Sequence, residues 1–113
     1  MDDVRGKNRV TGRKIRFTWT DGPTKGMTHE HVFHLDGTVE WHDAERRADA
    51  GGPSERATYA AVPVADGAYV VSYLAASGYT LTVVLNFQDR QLIGFASSAK
   101  EWFPIRGTFE VVT

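Results

Sequence analysis

The chain has 113 residues, 13 basic and 14 acidic side chains for a formal net charge of −1, and no cysteine. This length accommodates one domain, and 42% hydrophobic with 24% charged residues is typical of a folded globular protein rather than a disordered one. Without cysteine the chain forms no disulfide, thiolate nucleophile or cysteine-ligated zinc site, and without a basic surplus it lacks the usual signature of a nucleic-acid binder.

Basic side chains are concentrated near the start of the chain. Six lysines and arginines lie within positions 5–16, and no aromatic residue that would stack on a base is interleaved with them. We interpret residues 1–11 as a flexible basic leader and residues 12–113 as one β-domain, and we expect no nucleic-acid partner. No signal peptide is recognisable, and the longest uncharged stretch, 67–88, is interrupted by serine, threonine and asparagine. The sequence therefore predicts a cytoplasmic protein with no membrane partner.

Alternation of apolar and polar residues, the pattern of strands with one buried face, dominates the chain. It begins at Ile15, Phe17 and Trp19, and a polar loop with room for a short helical turn interrupts it at 44–56. The later strands are predicted at about 28–35, 38–43, 57–64, 68–75, 79–87, 91–97 and 106–112. Eight short strands with tight connections predict an all-β fold, a single antiparallel up-and-down lipocalin-like barrel, with a β-sandwich as the alternative.

The Asp36-Gly37 turn allows two registers for the hairpin around it. A two-residue loop places His31 opposite His42, whereas a type I turn with Gly37 in a left-handed bulge places His31 opposite Trp41. The bulged register keeps charged residues off the apolar face, so we favour it.

Two histidines on one face of the second strand raise the question of a metal site. His29 and His31 would need a third ligand, which is Asp43 in the favoured register and His42 in the other. Because a His-x-His pair alone is a weak motif, we expect no metal and no cofactor. His31 is instead the candidate for a catalytic acid or base.

Aromatic residues fall repeatedly on the predicted buried face. They are Phe17, Trp19, Phe33, Trp41, Tyr69, Tyr73, Tyr79 and Phe87. Such rings fill a small barrel, but with a histidine among them they also form the apolar wall and polar handles of a small-molecule site. We expect ligand contacts from Phe17, Trp19, His31, Trp41, Tyr69 and Tyr73. Arg56, just after the long loop, is expected to face an acidic group of the ligand.

Four segments resemble the phenolic acid decarboxylase and MoaF-like group of lipocalin-like barrels. They are 12–19 (GRKIRFTW), 33–41 (FHLDGTVEW), 69–73 (YVVSY) and 81–87 (LTVVLNF). The likeness extends over about 12–112 and is greatest to the MoaF-like branch, whose name refers to molybdenum cofactor genes. The resemblance implies the barrel fold.

The same resemblance argues against decarboxylase activity. The decarboxylases hold the substrate carboxylate with two tyrosines of the first strand, and they use a loop arginine and a glutamate near the phenol end of the substrate. Phe17, Trp19 and Ala75 stand at the tyrosine and glutamate positions, and only Arg56 matches. A mechanism that needs those hydroxyl and carboxyl groups cannot run on these side chains.

These observations favour a cytosolic binding protein for an apolar or aromatic metabolite. One alternative is a lyase or isomerase that uses the same cavity, with His31 as acid or base and Tyr69 or Tyr73 as donor. Another is a homodimeric interaction module with a filled barrel, which would expose a self-complementary surface patch.

We predict that the protein does not decarboxylate ferulic or coumaric acid above background, because Phe17, Trp19 and Ala75 replace the polar groups that this reaction needs. The measurement is the ultraviolet band of ferulic acid during incubation with the pure protein. Rapid loss of the band that an Arg56→Ala substitution abolishes would contradict the prediction.

Overall fold

The computed structural model describes residues 9–43, 55–75 and 77–113. Within these ranges eight antiparallel strands form one closed barrel, in which each strand pairs with its neighbours in sequence and the last pairs with the first. The strands are β1 (Lys14–Asp21), β2 (Thr28–Phe33), β3 (Thr38–Asp43), β4 (Glu55–Ala65), β5 (Ala68–Leu74), β6 (Thr80–Asn86), β7 (Gln91–Ser97) and β8 (Trp102–Val111). The predicted eight-stranded barrel is confirmed, and the alternative sandwich is excluded. No helix of the described ranges is long and apolar enough to cross a membrane.

Several strand boundaries differ from the predicted ones, and β2, for example, ends at Phe33 rather than near residue 35. β8 begins at Trp102 rather than near residue 106, because 102–105 continue the ladder with β7. β4 begins at Glu55, so the last two residues of the predicted loop at 44–56 belong to a strand. The rest of that loop lies outside the described residues, and so does the short helical turn considered for it.

The end of the predicted leader packs on the barrel. Val10 is fully buried, and the Arg9 guanidinium lies 5.7 Å from the centre of the Phe87 ring. An apolar side chain at position 10 covers barrel interior that would otherwise meet water. Residues 9–11 therefore join the domain that the sequence placed at 12–113, and residues 1–8 lie outside the described part of the chain.

The favoured register of the hairpin between β2 and β3 is confirmed. His31 lies opposite Trp41, and Phe33 lies opposite Val39. Gly37 has a φ of 90°, a conformation that side chains other than glycine rarely adopt, and its N–H donates to the His34 carbonyl at 3.2 Å. The bulge at Gly37 thus keeps His31 and Trp41 on the interior face.

The barrel interior has a packed end and an open end. At the packed end, where β1 begins, large apolar side chains are fully buried; they include Ile15, Phe33, Val39, Leu85 and Leu92. At the open end, where β1 finishes and β2 begins, two of the inward positions hold only Ala75 and Ala96. Short side chains at these positions leave interior space that the rings do not fill.

Two glycines without positive φ allow the strands to curve closely around this interior. A Cβ at Gly94 would lie 1.9 Å from the Thr82 carbonyl oxygen, and one at Gly107 would lie 2.4 Å from that of Thr18. Real Cβ atoms do not approach backbone oxygens so closely. Glycine is therefore needed at both positions for adjacent backbones to come this near.

We predict that Gly94→Ala lowers the free energy of unfolding by about 2–3 kcal/mol or more, because the backbone of β6 must move to admit the methyl group. Gly37→Ala is the comparison, since nothing lies within 4 Å there and only the strained φ matters; its cost should be about 1 kcal/mol. Urea unfolding measures both values. A destabilisation by Gly94→Ala no larger than that by Gly37→Ala would contradict the prediction.

Candidate functional site

A cavity of about 400 Å³ occupies the open end of the barrel. Its lining residues are Trp19, Pro23, Thr24, His29, Trp41, Tyr73, Ala75, Ser77, Tyr79, Leu81, Ala96, Phe103 and Ile105. Five of these are aromatic, and among the described residues none of the lining side chains is a lysine, arginine, aspartate or glutamate. The exposed Pro23 and Ser77 stand at its mouth. The wall is therefore apolar, with a few neutral polar groups.

A hydrogen bond between β1 and β2 determines which ring nitrogen of His29 carries the proton. β1 and β2 pair Phe17 with His29, so Trp19 is the diagonal neighbour of His29 on the inner face. The Trp19 Nε1–H donates to His29 Nδ1 at 2.7 Å. Burial lowers the pKa of His29, and the neutral ring then carries its single proton on Nε2. His29 thus presents an N–H donor at the cavity wall.

A second imidazole lies deeper, beneath the cavity. His31 is 1% exposed, and its Nε2 lies 2.8 Å from the Tyr73 hydroxyl. Phe17 stacks on the ring at a centroid distance of 4.1 Å, and Phe33 and Trp41 flank it. Its Nδ1 has no hydrogen-bond partner in the described ranges. His31 is therefore enclosed by rings and does not form part of the cavity wall.

Burial dominates the titration of the His31–Tyr73 pair. It lowers the pKa of His31 to about 3, an effect to which the nearby His29 adds. It also raises the pKa of the Tyr73 phenol far above its usual range. Both groups are consequently neutral at physiological pH, and the pair acts as a hydrogen bond between uncharged partners.

Six of the residues predicted to bind a ligand face the barrel interior, at two depths. Trp19, Trp41 and Tyr73 line the cavity together. Phe17, His31 and Tyr69 also face the barrel interior, but below the cavity, where Tyr69 meets Phe87 edge to face.

Arg56 does not face the interior, contrary to the expectation that it meets an acidic ligand. It lies opposite Glu40 in the ladder of β3 and β4, on the outer face, and its guanidinium bonds that carboxylate. Glu40 also lies 3.3 Å from His34 Nε2. Alternation along β4 explains this position, because Ala57 and Tyr59 take the inner face and Arg56 therefore points outward.

The histidines of β2 are already engaged with other side chains. His29 Nδ1 accepts from Trp19, and His31 Nε2 contacts Tyr73. Asp43 lies opposite His29 in the ladder, but no three histidine, aspartate or glutamate side chains of the described ranges are grouped as metal ligands. His42 faces outward, with its Nε2 3.2 Å from Glu30.

Sequence reasoning did not assign Phe103 and Ile105 to the site. Their strand was predicted to begin near residue 106, because the charged 100–101 and Pro104 interrupt the apolar pattern. The alternation of Phe103, Ile105 and Phe109 on one parity was the signal that could have placed them inside. His29 was considered only as a metal ligand, since its bond to Trp19 depends on the register of β1 and β2.

Comparisons with known proteins agree with this architecture. The family model described as the MoaF N-terminal domain matches residues 5–101. The crystal structure of a "putative beta-lactamase" from Burkholderia vietnamiensis superposes with a TM-score of 0.72 at 16% identity, covering 92% of this chain and 96% of that one. At this identity the likeness concerns the fold. No curated protein matches the sequence significantly.

We predict that His31 makes the protein less stable in mild acid. Below about pH 6.5 the unfolded chain protonates this histidine, whereas the folded chain, with a pKa of about 3, does not. The free energy of unfolding should therefore fall with decreasing pH from about 6.5 to about 5, with this group contributing a slope of up to about 1.4 kcal/mol per pH unit.

Urea unfolding across this pH range measures the slope. In His31→Phe the slope should be smaller by the contribution of one proton, because the substituted side chain cannot be protonated in either state. An undiminished slope in His31→Phe would mean that the buried ring is protonated in the folded protein.

Proposed function

This chain belongs to the MoaF N-terminal domain family, and we propose that it is a cytosolic binding protein for one small, largely apolar or aromatic molecule held inside the barrel. The observation that carries the proposal is the cavity of about 400 Å³ at the open end. Its size lies within the usual range of small-molecule sites. Deeper in the described part of the barrel the side chains of Phe17, His31 and Phe33 are buried, and the cavity lies at the open end.

The character of the wall supports an aromatic ligand. Trp19, Trp41 and Tyr73 all line the cavity, and the ring centroids of Trp41 and Tyr73 lie 4.6 Å apart. Flat rings stack favourably on such a surface, and they release water from it when they bind. The wall offers only scattered polar atoms, so most of the binding energy would come from apolar contact.

Binding is better supported than catalysis. His31, the candidate acid or base of a lyase or isomerase, is sealed beneath Trp41 and Tyr73, and burial keeps it neutral. Of the two candidate donors, Tyr69 packs on Phe87 below the cavity, whereas Tyr73 lines the cavity but has its hydroxyl 2.8 Å from His31 Nε2. A general acid or base must reach the proton that it transfers, and His31 does not lie on the cavity wall.

A filled barrel, which the interaction-module alternative requires, does not fit the cavity. The exposed Phe95 and Trp102 form an edge-to-face pair on the outer face, with ring centroids 5.7 Å apart. The expected homodimer stays a prediction, and these rings are an apolar surface available to it. The cytoplasmic location likewise stays a prediction.

We predict that naphthalene binds the purified protein with a Kd in the micromolar to millimolar range and that Ala96→Phe abolishes this binding, because the new ring fills the cavity. Ala60→Phe is the matched control, since Ala60 is exposed on the outer face of β4. Isothermal calorimetry measures the affinities, and circular dichroism confirms that both variants fold. Equal binding by Ala96→Phe and the wild type would place the ligand outside the barrel.

A further inference from the structure

We infer that the molecule bound in the barrel carries an uncharged hydrogen-bond acceptor, such as a ketone, aldehyde, ester or quinone carbonyl, and that His29 Nε2–H donates to it. The inference rests on the proposed binding function and extends it to the chemical class of the ligand. It makes His29 the residue that determines specificity within an otherwise apolar cavity.

The contact with Trp19 fixes the tautomer of His29. An indole nitrogen donates a hydrogen bond and cannot accept one, so the 2.7 Å contact with Trp19 Nε1 requires an unprotonated His29 Nδ1. The neutral ring has one proton, which must then lie on Nε2. Trp19 therefore determines which ring nitrogen is the donor.

The Nε2–H of His29 needs a hydrogen-bond acceptor. His29 is half-buried and lines the cavity, and no hydrogen bond from its Nε2 is found among residues 9–43, 55–75 and 77–113. Nδ1 and Nε2 project from different sides of the ring, so Nε2 points away from Trp19. When a ligand displaces water from this wall, a donor left without an acceptor costs binding energy. A ligand with an acceptor at this point avoids that cost.

The carboxylates near His29 are negatively charged. The wall formed by residues 9–43, 55–75 and 77–113 includes no lysine or arginine, so a carboxylate entering the cavity would find no cation among these residues. Asp43 lies opposite His29 in the ladder, Glu55 lies opposite Trp41, and both carboxylates act electrostatically on His29. An anionic acceptor would be repelled by this pair, whereas a neutral carbonyl would not. The electrostatics therefore favour a neutral acceptor.

Three probes of almost equal shape separate these contributions. They are β-acetylnaphthalene, β-isopropenylnaphthalene, in which a methylene group replaces the carbonyl oxygen, and β-naphthoate. A purely apolar cavity would favour the hydrocarbon, because the ketone gives up hydrogen bonds to water on entry. We expect the ketone to bind at least as tightly as the hydrocarbon and the naphthoate to bind weakest, all measured by isothermal calorimetry.

Substitution of His29 tests its role directly. In His29→Phe the ratio of ketone to hydrocarbon affinity should fall about threefold to tenfold, the range expected for one neutral hydrogen bond. His29→Gln, whose amide N–H can reach a similar position, should restore much of the ratio. His34→Phe, on the outer face, is the control and should leave the ratio unchanged.

The outcomes distinguish the inference from the function on which it rests. Binding of all three probes with the same ratio in the wild type and in His29→Phe would overturn the inference and leave the binding function intact. Tighter binding of naphthoate than of the ketone would also overturn it. If none of the probes binds, the proposed function itself fails, and the inference fails with it.

A second measurement applies to the wild-type protein even if His29→Phe does not fold. Long-range proton–nitrogen NMR correlations distinguish a protonated ring nitrogen from an unprotonated one. We expect His29 to show an unprotonated Nδ1 and a protonated Nε2 at neutral pH, and Trp19→Phe to abolish this preference. A protonated Nδ1 in the wild type would overturn the inference.

Discussion

The antiparallel pairing of β1 with β8 closes the sheet and determines which side chains face the barrel interior. It pairs Phe17 with Phe109 and Trp19 with Gly107. Because alternate residues of a strand face opposite sides, this ladder places Ile15, Phe17 and Trp19 in the interior, and each later pairing carries the same alternation around the barrel. A slip of one residue would bring Arg16 inward, whereas in this register its guanidinium lies on the outer face, 2.6 Å from Glu30 and 3.1 Å from Glu110.

Within that closed frame, position along the barrel axis decides what an inward residue does. His29 and His31 are two residues apart on one strand and face the same interior, yet their surroundings differ. His31 lies among stacked rings and uses Nε2 on Tyr73. His29, nearer the open end, uses Nδ1 on Trp19 and keeps its other nitrogen for the cavity. The deeper imidazole thus belongs to the core, and the shallower one belongs to the site.

The positions that bear catalytic groups in the resembling decarboxylases acquire a different meaning in this structure. Trp19 and Ala75 lie on the cavity wall, and Phe17 lies below it, against His31. An indole at position 19 gives up a hydroxyl but supplies an apolar surface and an N–H that orients His29. The methyl group of Ala75 leaves space on the wall that a glutamate side chain would fill, and it adds no negative charge there. These side chains are consistent with the neutral ligand that we propose for this cavity.

Much of the fold could be predicted because its information is local: alternation of apolar residues marks strands, and Gly37 marks the bulge that aligns His31 with Trp41. The same alternation placed Trp19, Trp41 and Tyr73 inside, where the structure brings them together at one cavity. Sequence could not show that Arg56 points outward, because that depends on where β4 begins after a long loop. Nor could the sequence assign different roles to His29 and His31. Their depths in the barrel and the contact of Trp19 with His29 depend on strand pairings between distant segments. Parity is a property of each strand by itself; the depth of a side chain and its hydrogen-bond partner exist only once the strands are assembled.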